Sequence, residues 1–472
     1  MDSAFRKKFY SFLPADPTED QVDLVERMER FLFQVSDRAA FIIRGYAGTG
    51  KTTAIAAMIK TFPSFRLKSF LLAPTGRAAK VLANFSGKSA FTIHKKIYQT
   101  KRGKDGRLHF KIAANLHANT VFIVDEASMI ADGGNTQTGK LESRNLLEDL
   151  ISYVYSGANC KLVFIGDIAQ LPPVGKLISP ALDPKYLKYH FNLTLKGVEL
   201  KKVMRQSNES GILNNATAIR FQTQAKNPSI HFDLNGFNDI LKIDGLELED
   251  ELSSCFSKYG EDETIVICRS NKRANLFNLQ IRSRIKGLEE ELTTGDYLMV
   301  VKNNYYWLDE NSPMGFIANG EIAEVLWRGN IEEKYGFRFL DVSVRFTDYP
   351  QMQSLDVKIM LDTLYSESPA LGSEGGQQLF ENILQEYAAI NNKQKRMELL
   401  RQNPYFNALQ VKFAYAVTCH KSQGGQWKAV FIDQGYLSEE MINSEYARWL
   451  YTAITRATDK LYLLNFNALF FD

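Results

Sequence analysis

Residues 45–52 read Gly45-Tyr-Ala-Gly-Thr-Gly-Lys-Thr52, a G-x-x-x-x-G-K-T loop, and no other stretch limits the fold as tightly. A short apolar run, Phe41-Ile42-Ile43, precedes it, and the Ala/Ile/Met-rich stretch Ala54–Lys60 follows with helical texture. Strand, loop and helix in that order are the setting a phosphate loop needs. Its glycines let backbone N–H groups wrap phosphate oxygens, and the helix N-terminus adds its dipole. The cradle comprises Gly45, Ala47, Gly48, Thr49, Gly50, Lys51, Thr52 and Thr53. Lys51 is placed to reach β- and γ-phosphates, and the Thr52 hydroxyl to ligate Mg²⁺. A nucleoside triphosphate site is therefore expected.

Bulk numbers set the outer bounds. A chain of 472 residues allows about two to four domains of ~100–200 residues. Apolar residues make up 45% and charged residues 24%, so real cores are expected. Net charge is only +3, so any nucleic-acid site has to be a local groove, not a global field. Cys160, Cys255, Cys268 and Cys419 stand far apart with no C-x-x-C pair. That argues against zinc and against a disulfide framework, and suits a reducing compartment. No apolar run approaches the ~18 residues of a membrane span, and Met1–Tyr10 lacks a signal-peptide core. A cytoplasmic protein with no membrane partner is expected.

Up to Leu200, short β-type runs alternate with helical patterns. The runs Phe41–Arg44, Ser69–Ala73, Val121–Val124 and Lys161–Ile165 each end in small or polar residues. Those ends are the phosphate loop, Pro74-Thr75-Gly76-Arg77, Asp125-Glu126 and Gly166-Asp167. Continuous apolar strands with polar carboxyl ends mark a parallel α/β sheet that carries its site on that edge. Between His94 and Thr120 the pattern breaks, and Tyr98–Lys111 reads as a basic β-hairpin. A second α/β unit starts near 206, with Thr264–Cys268 as a strand. Tyr297–Val301, Ile322–Arg328, Phe337–Phe346 and Val357–Leu361 have the texture of a small barrel. Leu371–Gly376 reads as a flexible joint before an amphipathic helix marked by Leu379, Phe380, Ile383, Leu384, Tyr387 and Ile390. The α/β pattern resumes at Ala429–Asp433 and Leu461–Leu464.

Two strand ends carry the remaining chemistry. Asp125, closing an apolar strand, is suited to hold the Mg²⁺ shell, and Glu126 to act as general base on water. In Gly166–Val174, Gln170 is placed to touch a γ-phosphate, with Pro172 and Pro173 stiffening the loop.

Taken in order over almost the whole chain, eight segments resemble the motifs of superfamily-1 DNA helicases of the RecD/Dda-like branch. They are Gly45–Thr52, Ala73–Ala79, Thr92–His94, Asp125–Ser128, Gly166–Val174, Val203–Gln206, Tyr415–Gly424 and Tyr451–Ala457. The resemblance implies an α/β fold of two RecA-like P-loop domains with ATP in the cleft between them. It also implies a small β-hairpin insertion in the first domain and an SH3-like β-barrel insertion in the second. The expected boundaries are 1–94 and 119–205 for the first domain, with the hairpin pin at 95–118. The second domain takes 206–290 and 408–472, and the β-rich plus helical insertion 291–407.

The resemblance further implies Arg205 and Arg456 as arginine fingers from the facing side, and Gln21 as the adenine-recognising side chain. Thr18-Glu-Asp-Gln21 is also a capping box opening a helix, in which the glutamine folds back on the cap, and both readings stand. Pro74, Thr75, Arg77, Thr92 and His94 would line a DNA groove in the first domain. Arg269, Asn271, Thr418, His420 and Lys421 would line it in the second. Phe110 or His109 in the hairpin is the implied wedge against the end base pair of a duplex. The implied activity is ATP-dependent translocation on single-stranded DNA, 5′ to 3′, with unwinding of tailed duplex by a monomer. Alternatives are an RNA helicase of the same superfamily, or an ATP- and DNA-binding subunit of a recombination or exonuclease complex.

Overall fold

The structure is a computed structural model that describes residues 3–34, 38–102, 108–133, 144–203, 210–309, 312 and 314–471, with backbone alone at 100–102 and 108–110. The first unit is built on β1 (Ala39–Gly45), β2 (Lys68–Ala73) and β3 (Ala90–Thr92). A two-stranded ribbon, β4 (Tyr98–Arg102) with β5 (Leu108–Ile112), interrupts it. The unit continues with β6 (Thr120–Val124), β7 (Lys161–Gly166) and β8 (Thr194–Leu200). The six-stranded sheet runs β3-β2-β6-β7-β1-β8, and every pairing is parallel.

Both faces of this sheet are covered, which is why its strands read as unbroken apolar runs. Phe41 and Ile43 face one core with Leu71, Val121, Ile123, Val163 and Ile165. Ala40 and Ile42 face the other with Leu72, Phe122, Val124, Leu162 and Phe164. The edge strand β8, with Lys196, Gly197 and Glu199 only half-buried, lacks that run and escapes the apolar pattern.

The second unit opens with β9 (Ile240–Ile243) and β10 (Thr264–Cys268). The chain then closes a barrel from β11 (Tyr297–Val300), β12 (Ile322–Lys334), β13 (Phe337–Phe346), β14 (Leu355–Met360) and β15 (Leu409–Phe413). It returns through β16 (Ala416–Thr418), β17 (Trp427–Asp433) and β18 (Ala457–Leu464) to complete a parallel sheet of order β16-β10-β17-β18-β9. The closing barrel strand β15 lies beyond position 407, so the barrel reaches past the boundary expected for the insertion. One face of the second sheet (Val266, Cys268, Phe431) shares a continuous core with the barrel's Leu298, Val325, Val342 and Val411.

One sequence expectation is corrected. Leu371–Gly376 is not a joint: helix Ser373–Glu386 starts inside it, carrying Gly375 and Gly376 in its first turn. Glycine weakens a helix interior by roughly 1 kcal/mol relative to Ala. Here Leu379 and Ile383 anchor the helix against Phe339 and Met360 of the barrel, with Leu400 of a second helix, Lys393–Gln402. Among the described residues, no helix is long and apolar enough to cross a membrane.

Candidate nucleotide cleft and nucleic-acid groove

The loop after β1 turns on Gly48 (φ +73°) and Gly50 (φ +78°), both in the left-handed region that glycine alone enters cheaply. Gly50 hands the chain to helix Lys51–Thr61. A Cβ at Gly48 would stand 2.7 Å from the Leu213 side chain, which belongs to helix Gly211–Gln222 of the second unit. The Lys51 ammonium donates to the carbonyls of Gly45 and Tyr46, each at 2.7 Å, and lies 3.9 Å from the Asp167 carboxylate. A loop folded around its own lysine in this way holds the side chain where phosphate oxygens would replace the carbonyls.

Asp125 directly follows β6, and its Oδ1 accepts the Glu126 backbone N–H at 2.9 Å. Burial and the adjacent Glu126 charge push the Asp125 carboxyl above the usual range, while Lys51 opposes them. Glu126 sits at φ +50°, a costly conformation for a side-chain-bearing residue. Two adjacent carboxylates after a strand end form an oxygen donor set that a hard divalent cation relieves, and Thr52 stands in the first turn of helix Lys51–Thr61. Gln170 is buried, and its Oε1 has no hydrogen-bond partner among the described residues.

Contacts from the second unit close over this edge. Tyr451, on helix Ser444–Ile454, accepts the Ala47 N–H at 2.8 Å and donates its own proton to Asp167 at 2.6 Å. One residue on, Thr452 Oγ1 accepts the Leu171 N–H at 2.9 Å, and Gln423 donates to the Leu171 carbonyl at 2.7 Å. The Arg220 guanidinium stacks 4.3 Å from the Tyr46 ring, and the Tyr46 hydroxyl donates to Glu199 at 2.7 Å. Sequence reasoning gave no role to Tyr451, Asp167 or Arg220. Tyr451 and Asp167 lay inside segments already singled out, whereas Arg220 carried no signal.

The expected fingers come out differently. Arg205 lies outside the described residues. Arg456 is buried and spends its donors within its own unit, on the Thr452 carbonyl, the Gly425 carbonyl and the Thr455 hydroxyl, each at 3.1 Å. No hydrogen bond joins it to the phosphate loop among the described residues. Gln21 is fully buried and forms the capping box: it accepts the Thr18 N–H at 3.2 Å while Thr18 accepts the Gln21 N–H.

Of the groove residues, Thr75 caps helix Gly76–Ser86 and Thr92 caps helix Ile93–Ile97. Pro74, half-buried, precedes the first of these. Arg77 crosses to the second unit, stacking 4.1 Å from Trp427 and donating to the Gln426 carbonyl at 2.8 Å. His94 packs between Tyr98 and the barrel's Phe316, and burial lowers its pKa to about 4. Arg269 is exposed, lies over the rings of Tyr446 and Trp449, and donates to the Tyr436 carbonyl. Asn271 opens helix Asn271–Gln280, while Thr418, exposed His420 and Lys421 follow one another at the end of β16. The Phe110 backbone lies in β5; its side chain lies outside what the structure describes.

A phosphate loop on a parallel sheet, a carboxylate pair at the next strand's end and a second unit bonded to the loop define a P-loop nucleoside triphosphatase. Residues 18–229 match the AAA domain family model, and 413–464 match the UvrD-like helicase C-terminal domain. The ATP-dependent DNA helicase Pif1 of Campylobacter jejuni is 25% identical, covering 88% of this chain and 86% of that protein. ATP-dependent DNA helicase dda of Enterobacteria phage T4 is 28% identical, covering 60% and 62%. ATP-dependent RecD2 DNA helicase of Deinococcus radiodurans is 31% identical over 34% of this chain, which spans only 20% of that relative. These matches make the chain similar to the superfamily-1 helicases of the RecD/Dda/Pif1-like kind.

Proposed function

We propose that this chain is an ATP-driven DNA helicase whose two sheets are RecA-like units closing on ATP, translocating 5′ to 3′ on single-stranded DNA. The observation that carries this reading is the Tyr451 hydroxyl, which ties the Ala47 amide of the phosphate loop to Asp167 from the other unit. Any change in the loop's occupancy is felt directly by helix Ser444–Ile454.

Lys51 neutralises the β- and γ-phosphates, and the amides of Gly45, Ala47, Gly48, Thr49, Gly50 and Thr53 cradle them. Thr52 and Asp125 would hold Mg²⁺, which supplies charge neutralisation across the phosphate oxygens when bound. Glu126 takes the proton of the attacking water, and Gln170 orients that water or the γ-phosphate. Arg205 and Arg456 serve as fingers; Arg456 must first exchange its three internal hydrogen bonds. Gln21 reads the adenine edge at the expense of its cap. Pro74, Thr75, Arg77, Thr92, His94, Arg269, Asn271, Thr418, His420 and Lys421 line the strand's path, and Phe110 is the wedge.

Unwinding of matched 5′-tailed and 3′-tailed DNA duplexes with ATP tests the reading. Activity is expected on 5′ tails; activity on 3′ tails alone overturns the polarity. ATPase stimulation by RNA but not DNA oligonucleotides would overturn the substrate.

A further inference from the structure

Between the barrel and the second sheet lies a small cavity whose lining includes Asn271, Asn275, Met299, Lys412, Thr418 and Lys421, with no carboxylate anywhere on its wall. Lys412 stands on barrel strand β15 and Lys421 on the short helix after β16, so the cavity straddles the joint. The Lys421 Nζ is buried and has no hydrogen-bond partner among the described residues. Lys412, also buried, donates among the described residues to the carbonyls of Thr363 and Ser366. Burial pushes both ammonium groups down to about 8, and for Lys421 the charge of Lys412 adds to the effect. Glu367 nearby in sequence is exposed and pairs with Lys272. Half-buried Asn271, Asn275 and Thr418 border the cavity.

Two cations lining one cavity without an acid on its described wall are unfavourable unless an anion joins them, since a buried unpaired charge costs several kcal/mol, roughly 3–5 when a partner is removed. Resting on the helicase reading above, we propose that Lys412 and Lys421 clasp one backbone phosphate of the bound DNA strand between them, making the barrel–sheet joint a phosphate seat. Lys412 thereby becomes a DNA-contact residue, and the barrel holds the strand jointly with the second sheet. A phosphate seated there supplies oxygens to the Lys421 ammonium and screens the two charges from each other.

The test is the salt dependence of binding to a fluorescent oligothymidylate, read by anisotropy. Each neutralised phosphate on a single strand contributes about 0.7 to the log–log slope. The double variant K412Q/K421Q is expected to flatten the slope by about 0.7 and to weaken binding tenfold or more, while a fluorescent ATP analogue binds as before. An unchanged slope overturns the seat. Flattening by about 1.4 means two separate phosphates and overturns the shared clasp. K412R should keep the full slope. Should the double variant fail to fold, the single variant K412Q decides: it is expected to weaken binding and flatten the slope on its own, and a slope equal to that of the unmutated chain overturns the seat. No oligothymidylate binding by the unmutated chain would sink the helicase reading itself; binding without the slope change sinks only the seat.

Discussion

Tyr451 uses one hydroxyl for two partners, accepting from Ala47 and donating to Asp167. Replacing it by Phe keeps the ring but leaves a buried carboxylate oxygen and a loop amide unpaired. Leaving such groups unsatisfied costs about 1–3 kcal/mol, so the nucleotide-free Tyr451→Phe protein should show a lower urea midpoint. A midpoint equal to that of the unmutated protein would mean that the bridge contributes nothing. His94 gives a pH signature. Its folded-state pKa of about 4 lies below the ordinary 6.5, so folding excludes the proton. The stability it contributes is complete above pH 6.5 and is lost as pH falls from 6.5 toward 4. The loss is on the order of 2–3 kcal/mol. A His94→Gln protein should therefore show a shallower decline in stability across that window, measured by denaturant titration at each pH.

At the scale of elements, the phosphate loop and helix Glu19–Phe33 make separate predictions. Gly48→Ala puts a methyl group 2.7 Å from Leu213 on a backbone at φ +73°. The strain alone is about 1 kcal/mol, and the clash adds to it; affinity for a fluorescent ATP analogue should fall at least fivefold. Gln21→Ala separates two roles of one side chain. A cap alone predicts a stability loss of about 0.5–1 kcal/mol with ATP-over-GTP preference intact; a collapse of that preference reveals adenine recognition. How far the sequence reached differs by element. Strands buried on both faces, such as Thr120–Val124, announce themselves as apolar runs. Leu409–Phe413 is equally buried, yet nothing in its composition says that it closes a barrel and not the neighbouring sheet. The Arg456 segment was recognisable, but the direction of its guanidinium depends on the Gly425 carbonyl, set by a separate turn. Tyr451 was hidden for a related reason: its partners Ala47 and Asp167 lie hundreds of positions away, and only the folded chain brings them together.

For the whole molecule, the two units meet through specific bonds, among them Tyr451 at the phosphate loop, Thr452 and Gln423 at Leu171, and Arg77 on Trp427, with Ala169 and Leu171 packed into the second unit's apolar core. Lys51→Ala is expected to lower ATP turnover at least a hundredfold and to abolish unwinding of tailed duplex. A Lys51→Ala protein that still unwinds would end the motor interpretation.

The barrel's insertion has a consequence for how the chain is made. All six strands of the first sheet are complete once Leu200 has left the ribosome, so the half carrying the phosphate loop is free to fold early. The second sheet has no such freedom. Its strand β10 pairs with β16 and β17, which are synthesised only after the entire barrel. Until then the apolar stretch Thr264–Cys268 waits with both edges open, a template for wrong partners. A nascent chain stalled just before Ala416 would therefore hold a finished first half beside an adhesive, unfinished second one. The barrel, by folding on schedule in between, shields one face of that waiting strand while the rest of its sheet is still being translated.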